Sequence, residues 1–530
     1  MVLGAATAGT VKADLMVVES KSRLAEIVGV LALATDLASG LQLEHGFRRT
    51  LIVLWLGERA GLGGQQMQDA YYVSMLGSAG CVLDTAAVAC FLDDDIAFRG
   101  GMFSLDMANP LVAVRYLGRN VAADQPAMRR AARVIGLSRQ AAVFRDVALS
   151  VGGLFDLGPS VREALGQCDE HWNGKAGVLG LKGEQISIHA RLFRLAQDID
   201  VFQRESGMPA AVEVMRRRAG IYYDPDLVAL LVADSEELSS RLEVASPWDA
   251  VLAAEPIPRR MLSADEFDVV AHQVANFIDM RSAYTVGHSR AVAMLAEAAA
   301  RGLGLSPAEA RMLRAAGLLH DLGRAGVPVA LWDKAGPLSP EERERVKRHP
   351  ALTELLLARS SSLSQLGALA ALHHERLDGS GYRGVTAASL SVAARVLAVA
   401  DMYQSKLEPR AYRRALMAEQ AAAAVRDQVK GGRLDGEIVK AVLDAAGHPE
   451  PEVVATLPAG LTRREVEVLR LVVRGMSNRE IAEALTLSQK TVGHHLESIY
   501  AKIDVSTRVG ATLFAIEHAL TTNLTSPIRR

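Results

Sequence analysis

Residues 318–324 read LLHDLGR, and residues 75–81 read MLGSAGC. Both stretches follow a run of sequence typical of an apolar helix, but the later one carries His320-Asp321 where the earlier one carries Gly77-Ser78. The offset between the two pairs is 243 residues (77 to 320). We interpret the two stretches as the same helix present twice in the chain.

The repeat extends beyond this helix. The same offset relates His45 to His288 without a gap. Further along, NGKAGVLGLKGEQISIHARL (173–192) runs parallel to DGSGYRGVTAASLSVAARV (378–396), and YYDPDLVALL (222–231) runs parallel to RLDGEIVKAV (433–442). Three matches in the same order predict a duplicated domain.

The composition predicts an all-α protein of several domains. The chain has 530 residues, more than a single core holds, and it is 50% hydrophobic but only 5% aromatic. Ala and Leu supply most of the apolar residues, which favours packed helices over sheets. Pro-containing breaks at 245–260 and 447–460 predict domains at 15–245, 262–450 and 457–525.

Charge and cysteine content limit the compartment and the partners. The formal net charge is −2, so any nucleic-acid surface must be local. The three cysteines, Cys81, Cys90 and Cys168, are too few for a disulfide framework and are typical of a reducing compartment. No uncharged apolar run reaches about 18 residues, so we predict no membrane span and a cytoplasmic protein.

Capping signals mark helix starts in the second copy. LSPAEARML has Ser306 as N-cap with Glu309 at the third helical position, and LSPEERERV repeats the arrangement with Ser339 and Glu342. The first of these helices is predicted to end at His320-Asp321, with Gly323 as its C-cap. A reactive pair at a helix end has rigid support behind it and open space ahead.

The second copy also concentrates residues that bind metals. Adjacent polar pairs next to apolar stripes are costly to bury unless they are paired or bound to a metal. Imidazole and carboxylate ligands suit Fe, Mn or Zn, and seven of them exceed the need of one tetrahedral ion. Because a carboxylate can bridge two ions, we predict two divalent metals. The candidate ligands are His288, His320, Asp321, His349, His373, His374 and Asp401.

Segment 263–450 resembles the HD-GYP subclass of HD phosphohydrolases. The matching pieces are YTVGHSRAV, LLHDLGRAGVP, KRHP, HHERLDGSGYRG, ARVLAVADMY and AYRRAL. The resemblance implies that Asp321 bridges two metals, with His288, His320 and Asp401 on one ion and His349, His373 and His374 on the other. It also implies hydrolysis of a phosphodiester such as cyclic di-GMP, in which the metals lower the pKa of a water.

The same resemblance implies the residues around the substrate. Asp321, Arg324 and Lys334 are the expected catalytic residues, and Arg324 stands where the family has Lys. The loop residues Gly381, Tyr382 and Arg383, together with Arg324 and Lys334, are expected to contact the substrate. The loop departs from the family pattern, because it is one residue shorter than in the first copy and lacks the family's Pro. The true nucleotide is therefore left open.

The first copy has lost the ligand set. His45 is retained, but Cys168-Asp169-Glu170 stands opposite His373-His374-Glu375, and Gln197 stands opposite Asp401. We interpret it as a degenerate HD domain used for packing, dimerisation or ligand sensing. A different metal site made of Cys81, Cys168 and Asp169 is the alternative.

The C-terminal segment predicts a helix-turn-helix. Helix starts are marked by Thr462 with Glu465, by Ser477 with Glu480 and by Ser488. From residue 460 onward there are ten Lys or Arg residues against seven Asp or Glu residues, a local positive surplus. Val492 and Leu496 are predicted to lie in the core of the last of these helices.

Segment 461–518 resembles the LuxR-type DNA-binding domain, a four-helix fold, over its whole length. LTRREVEVLRL, SNREIA, KTV and the final KI-x-V-x-x-R carry the resemblance. It implies that the helix from Gln489 enters the major groove of double-stranded DNA and that the protein acts as a homodimer. The implied DNA contacts are Gln489, Lys490, Thr491, His494, His495 and Arg508.

Together these features predict a transcription regulator whose DNA binding is controlled by a nucleotide. In one hypothesis the second HD copy is a working phosphodiesterase. In another it binds metal and nucleotide without turnover, as a sensor. In a third, both HD copies only dimerise the DNA-binding domain.

Overall fold

The structure, a computed structural model, describes residues 22–80, 92, 94–103, 105, 110–121, 155–175, 177, 179–448, 458–518 and 520. Cys81, Cys90 and residues 15–21 and 521–525 of the predicted domains lie outside these ranges. Every regular element in the described ranges is an α-helix or a 3₁₀-helix, and the predicted all-α class is confirmed. The chain divides into two compact units, Met1–Pro449 and Glu450–Arg530.

The two HD copies share the first unit and repeat the same helices. The helices His45–Arg59 and Gly64–Leu76 recur as His288–Gly302 and Pro307–Leu319, at the predicted offset of 243 (45 to 288) at every end. The 3₁₀-helix Gly183–Gln185 recurs as Ala387–Ser389. The two pairs of α-helices with ends at the offset of 243 agree with the predicted repeat.

The remaining helices of the first unit complete the two copies. Those before residue 260 are Leu24–Ala38, Asp95–Phe103, Pro110–Asn120, Pro159–Leu165, Ile188–Ser206, Met208–Arg218, Pro225–Ala233, Ser235–Arg241 and Pro247–Ala253. Those after it are Ala264–Asp279, Val329–Trp332, Pro340–Val346, His349–Leu357, Ser364–Ala370, Val392–Leu407, Ala418–Lys430 and Gly436–Ala445, with the 3₁₀-helix Leu322–Gly326.

Two pairs of polar contacts hold the same places in the two copies. Asp36 accepts a hydrogen bond from the backbone N–H of Gly46, and Asp279 accepts one from that of Ser289. Each carboxylate thereby caps the helix that begins with His45 or His288. Downstream, Arg191 pairs with Asp224 at 2.6 Å, and Arg395 pairs with Asp435 at 2.8 Å.

The two copies are joined by a common hydrophobic core. One cluster of buried residues includes Leu24–Ala38 of the first copy and the helices around Leu319 of the second. The predicted break at 245–260 contains the helix Pro247–Ala253, whose Trp248 packs against Phe47 with ring centroids 5.0 Å apart. The boundaries 15–245 and 262–450 remain predictions.

The predicted capping boxes are present. Ser306 and Ser339 each accept a hydrogen bond from the backbone N–H of the glutamate three residues later. The prediction of Gly323 as a C-cap is wrong, because the chain continues into the 3₁₀-helix Leu322–Gly326. Gly323 is needed for a different reason: a Cβ there would lie 2.0 Å from the carbonyl oxygen of His349.

The described residues of the second unit form four α-helices: Arg463–Val473, Asn478–Leu485, Gln489–Lys502 and Arg508–Glu517. The caps at Thr462, Ser477 and Ser488 form as predicted. Val492, Leu496 and Ile499 are buried in a core with Ile481 and Leu469. None of the helices among the described residues of the whole chain is long and apolar enough to cross a membrane.

Candidate metal centre

The seven predicted ligands come from five helices of the second copy, and all but Asp401 lie at or near a helix end. His288 and His349 each begin a helix, and His320-Asp321 follows the helix Pro307–Leu319. The pair His373-His374 follows Ser364–Ala370, and Asp401 lies within Val392–Leu407. A side chain at a helix end is not covered by a following turn. The packing of the five elements brings these side chains together in one cluster.

Asp321 lies at the middle of this cluster. Its Oδ1 is 3.5 Å from His349 Nε2 and 3.7 Å from His373 Nε2. Its Oδ2 is 3.5 Å from His320 Nε2 and 3.8 Å from His288 Nε2. Each carboxylate oxygen therefore faces a different pair of histidines, which is the arrangement of a carboxylate between two ions.

The potential ligands form two groups. His288, His320 and Asp321 form one group, and His349, His373 and His374 form the other. Within each group the ligand atoms lie within 4.8 Å of one another. Among the described residues these are the only groups of three or more His, Cys, Asp or Glu whose ligand atoms lie this close together.

The hydrogen bonds of three histidines fix which ring nitrogen is free to bind a metal. Nδ1 of His320, His349 and His373 lies 2.8, 2.7 and 2.7 Å from a backbone carbonyl oxygen three residues earlier. A carbonyl only accepts, so each Nδ1 carries the proton and each Nε2 presents a lone pair. These lone pairs are directed toward Asp321, as in a histidine oriented for metal binding.

Two further features are suited to a bound cation. His349 Nε2 and His373 Nε2 are 3.1 Å apart, so two lone pairs face each other. His320 Nε2 is buried and has no hydrogen-bond partner among the described residues. Two adjacent nitrogens bound to one ion at about 2.1 Å lie roughly 3 Å apart, so the residues present fit a metal.

The pKa values of these histidines favour the neutral form that binds metals. Burial lowers the pKa of His349 to about 4 and that of His373 to about 3, and it lowers the pKa of His374 well below its usual range. The pKa of Asp321 is also well below its usual range, because the surrounding imidazoles and the Arg324 guanidinium favour the carboxylate by more than burial disfavours it. Neutral imidazoles around ionised carboxylates are the donor set of a divalent cation.

Glu408 is part of the site and was missed by the sequence analysis. His288 Nδ1 is 3.0 Å from Glu408 Oε1, and His288 Nε2 is 3.3 Å from Asp401 Oδ1. Burial would lower the pKa of His288, but the two carboxylates raise it to about 10. The signal was its position, because Glu408 directly follows the end of the helix Val392–Leu407 that carries Asp401.

The predicted substrate loop is anchored by Glu375, the other residue whose role was missed. Its carboxylate accepts hydrogen bonds of 2.8 Å from the backbone N–H groups of both Arg383 and Val385. A Cβ on Gly381 would lie 2.5 Å from Glu375 Cα, so only glycine fits there. The first copy preserves the anchor, since Glu170 accepts from Leu179 and Leu181.

The predicted substrate residues have different surroundings. Tyr382 packs on the ring of His374 at a centroid distance of 4.4 Å and is 38% exposed, so it borders the cluster. Arg324 Nη1 is 3.0 Å from Asp321 Oδ2, and its guanidinium lies over the Trp332 ring. Lys334 pairs with Glu342 at 2.6 Å, and Arg383 pairs with Glu354 at 2.7 Å.

The described part of the first copy does not bring a comparable set together. Both ring nitrogens of His45 are engaged, Nδ1 by Asp200 at 2.8 Å and Nε2 by Gln197 at 3.0 Å. Cys168 is buried and its Sγ donates to the Ala164 carbonyl. Cys81, the third member of the alternative metal site, lies outside the described residues.

The predicted DNA contacts lie mainly on the helix Gln489–Lys502. Gln489, Lys490 and His494 are exposed there, and Thr491 and His495 are half-buried. Arg508 has a structural contact instead, because its guanidinium donates to the Met476 carbonyl and to Asn478 Oδ1. It joins the last helix to the start of the helix-turn-helix.

Comparisons with known proteins agree with both parts of the chain. The family model described as HD domain matches residues 157–227 and 272–438, and the model described as bacterial regulatory proteins, luxR family, matches residues 459–515. The first match covers parts of both copies, as a duplication requires.

Two relatives and one solved structure illustrate the similarity. The chain is 29% identical to the 3'3'-cGAMP-specific phosphodiesterase 3 of Vibrio cholerae over 77% of this chain and 91% of that protein. It is 34% identical to a cyclic di-GMP phosphodiesterase of Thermotoga maritima. That match covers 34% of this chain and 50% of that protein.

The crystal structure of a cyclic GMP-AMP specific phosphodiesterase of V. cholerae matches the fold. The TM-score is 0.56 with 24% identity, and the match covers 81% of this chain and 98% of that one. The chain therefore carries an HD domain like those of cyclic dinucleotide phosphodiesterases, fused to a LuxR-type DNA-binding domain.

Proposed function

We propose that the second HD copy hydrolyses a cyclic dinucleotide with two divalent metals and that the nucleotide controls DNA binding by the C-terminal domain. The observation that carries the proposal is the arrangement around Asp321, with two pairs of imidazole nitrogens directed at its two oxygens. The relatives named for cyclic dinucleotide hydrolysis support the substrate class.

The residues divide into ligands of two ions. Asp321 would bridge them, with His288, His320 and Asp401 on one ion and His349, His373 and His374 on the other. Bound ions of the Fe, Mn or Zn type would supply an activated water and stabilise charge on the phosphoryl oxygens. The chain itself orients the imidazoles of His320, His349 and His373 through their Nδ1 hydrogen bonds to backbone carbonyls, and it holds the Asp321 carboxylate ionised.

The chain also supplies groups for the nucleotide. Arg324 offers a planar fork beside Asp321, suited to a phosphate oxygen. Tyr382 presents an exposed aromatic edge above His374, and the Glu375 anchor fixes the backbone of that loop. Lys334 is a weaker candidate, because Glu342 already neutralises it.

The activity test compares the full-length protein with a variant that lacks two central ligands. Wild type loaded with Mn²⁺ or Fe²⁺ is expected to convert cyclic di-GMP or 3'3'-cGAMP to a linear dinucleotide or to nucleoside monophosphates. The His320→Ala/Asp321→Ala variant is expected to lose this activity. Equal turnover by both proteins would overturn the proposal.

A sensor without turnover is the second candidate. It is kept because the site departs from the substrate residues that the family resemblance implies: Lys334 and Arg383 pair with Glu342 and Glu354 of the protein itself. Titration calorimetry with the same two nucleotides separates the cases, because a sensor binds one of them without product formation. Absence of binding by either nucleotide would contradict both candidates.

DNA binding is proposed to require a homodimer. The helix Arg508–Glu517 exposes Val509 and Leu513, one turn apart, with exposed fractions of 70% and 61%. An apolar pair at this spacing suits helix–helix contact between two subunits. Sedimentation of wild type and of Val509→Lys/Leu513→Lys tests it: the wild type is expected to be a dimer and the variant a monomer.

A further inference from the structure

The family of the chain implies a metal site in each copy, but the residues of the first copy do not fit one. Glycine, serine and glutamine stand at Gly77, Ser78 and Gln197, where the second copy has His320, Asp321 and Asp401. The imidazole of His45 has no free ring nitrogen. A group other than a metal ion must therefore supply positive charge to this buried polar site.

We infer that the guanidinium of Arg49 is the built-in cation of the first copy and takes the place that metal ions take in the second. Arg49 lies one turn after His45 on the helix His45–Arg59 and is only 1% exposed. A buried charge is costly unless it is paired and hydrogen-bonded, so its surroundings show what it is for.

The contacts of Arg49 are those expected of a cation at the centre of an HD site. Its Nη1 donates to Ser78 Oγ at 2.7 Å and to Gln197 Oε1. In the repeat, Ser78 corresponds to Asp321, and Gln197 corresponds to Asp401. One guanidinium nitrogen thus contacts the counterparts of both metal-site carboxylates, while Nε donates to the Ser74 carbonyl at 3.1 Å.

Phe193 explains why the first copy cannot return to the metal-binding form by a simple change. The Arg49 guanidinium lies 4.5 Å from the centroid of the Phe193 ring, in a cation–π contact. A Cβ on Gly77 would lie 2.3 Å from Cε2 of that ring. The aromatic ring that holds the guanidinium therefore excludes histidine from the position of His320.

The negative charge of the site comes from two buried aspartates. Asp200 lies 2.8 Å from His45 Nδ1 and also pairs with Arg48 at 2.6 Å. Burial raises the pKa of Asp36 to about 6, against the opposing charges of His45 and Arg49. The polar groups around Arg49 and His45 are thus satisfied by the chain itself.

A site that is complete without metal gives the first copy a fixed shape on which the second is assembled. The helix Leu24–Ala38 packs on Leu322–Gly326, which directly follows His320-Asp321, and on His349–Leu357, which begins with a candidate ligand. Asp95 of the first copy accepts from the backbone N–H of Val329 at 2.9 Å. Loss or gain of metal should consequently act on the second copy alone.

The first test replaces the guanidinium and then returns it. Arg49→Ala in the full chain is expected to lower the melting temperature, and millimolar methylguanidinium is expected to restore at least half of the loss. Urea at the same concentration, which has the shape without the charge, is expected to restore none. Arg217→Ala, which removes a guanidinium from an exposed pair with Glu213, serves as the matched control and should show no restoration.

The second test does not depend on how well Arg49→Ala folds. Elemental analysis of wild type is expected to find up to two ions per chain, and His320→Ala/Asp321→Ala is expected to retain none. Ions retained by that variant but lost when His45 is also replaced by alanine would overturn the inference. Equal melting responses of Arg49→Ala to methylguanidinium and urea would also overturn it.

Discussion

Nδ1 of His288 lies 3.0 Å from Oε1 of Glu408, and this carboxylate is held in turn by Gln404 and Arg410. The contact orients the imidazole so that Nε2 faces Asp321 and Asp401. A carboxylate behind a ligating histidine fixes the ring and raises its basicity. The sequence places Glu408 outside every motif of the family resemblance, so its role rests on the structure.

We predict that Glu408→Ala weakens metal binding by about 10–100-fold, the usual effect of removing such a partner. Glu408→Gln should lose less, because its amide oxygen still accepts from Nδ1. Competition between the protein and a fluorescent chelator measures the change without any activity assay. Glu419→Ala is the matched control, since Glu419 accepts from His448 outside the cluster. Equal losses for the alanine variants would contradict the prediction.

The substrate loop should be sensitive to a methyl group at one glycine and tolerant at another. Gly381→Ala would drive a Cβ to within 2.5 Å of Glu375 Cα, whereas a Cβ on Gly384 would meet only the Gly379 carbonyl at 3.9 Å. We expect Gly381→Ala to lower the free energy of local opening by about 1–3 kcal/mol. Gly384→Ala pays only for its positive φ, about 1 kcal/mol.

Hydrogen exchange measures this difference where it arises. The N–H groups of Arg383 and Val385 are protected by Glu375, and their exchange should quicken by roughly 5- to 150-fold in Gly381→Ala. Similar exchange rates in the two alanine variants would show that Glu375 does not define the loop.

The sequence predicted the ligand set because metal ligands are few and chemically distinctive. The seven residues lie together, and the repeat offset reproduces the helix ends of both copies, while their binding of metal stays a prediction. A single sequence does not reveal what a tertiary contact decides. Gly323 resembles a helix cap until the His349 carbonyl is seen beside it.

The replacements in the first copy show the same limit. The sequence shows that positions 77 and 78 lack the His and Asp of the second copy. This predicted that the first copy has lost the metal site. The role of Arg49 was not predicted, because its partners Ser78 and Gln197 come from segments 29 and 148 residues away. Pairings over such distances depend on how helices pack, which hydrophobic periodicity does not specify.

Lys490 should contribute to DNA affinity through charge. It is exposed near the start of the helix Gln489–Lys502, on the side opposite the buried Val492 and Ile499. A lysine that contacts phosphate weakens binding to all sequences about equally when it is removed, and it lowers the salt slope by about one.

We therefore predict that Lys490→Ala reduces affinity for any duplex, with a salt slope smaller by about one. Fluorescence anisotropy at several salt concentrations measures both quantities. Lys440→Ala removes a lysine of the other unit and should leave them unchanged. An unchanged slope in Lys490→Ala would mean that this helix does not meet the phosphate backbone as predicted.

Glu465 should make the stability of the C-terminal unit depend on pH. It is 4% exposed and accepts hydrogen bonds from Lys502 Nζ at 2.7 Å and Ser498 Oγ at 2.6 Å. Burial would raise its pKa, but these donors and Thr462 lower it from 4.5 to about 2. Because the folded pKa is the lower one, the stabilisation is present above pH 4.5 and is lost as the pH falls toward 2.

We predict that Glu465→Gln destabilises this unit by about 1–3 kcal/mol at neutral pH. The difference from wild type should shrink as the pH falls below 4.5, because protonation removes the same charge from the wild-type protein. Hydrogen exchange of the helix Arg463–Val473 in the full chain, measured at pH 7 and pH 4, follows the change. Glu467→Gln is the control, since Glu467 is half exposed in a surface pair with Arg464 and should have little effect at either pH. A constant difference between Glu465→Gln and wild type across this range would show that the Lys502–Glu465 pair does not stabilise the fold through its charge.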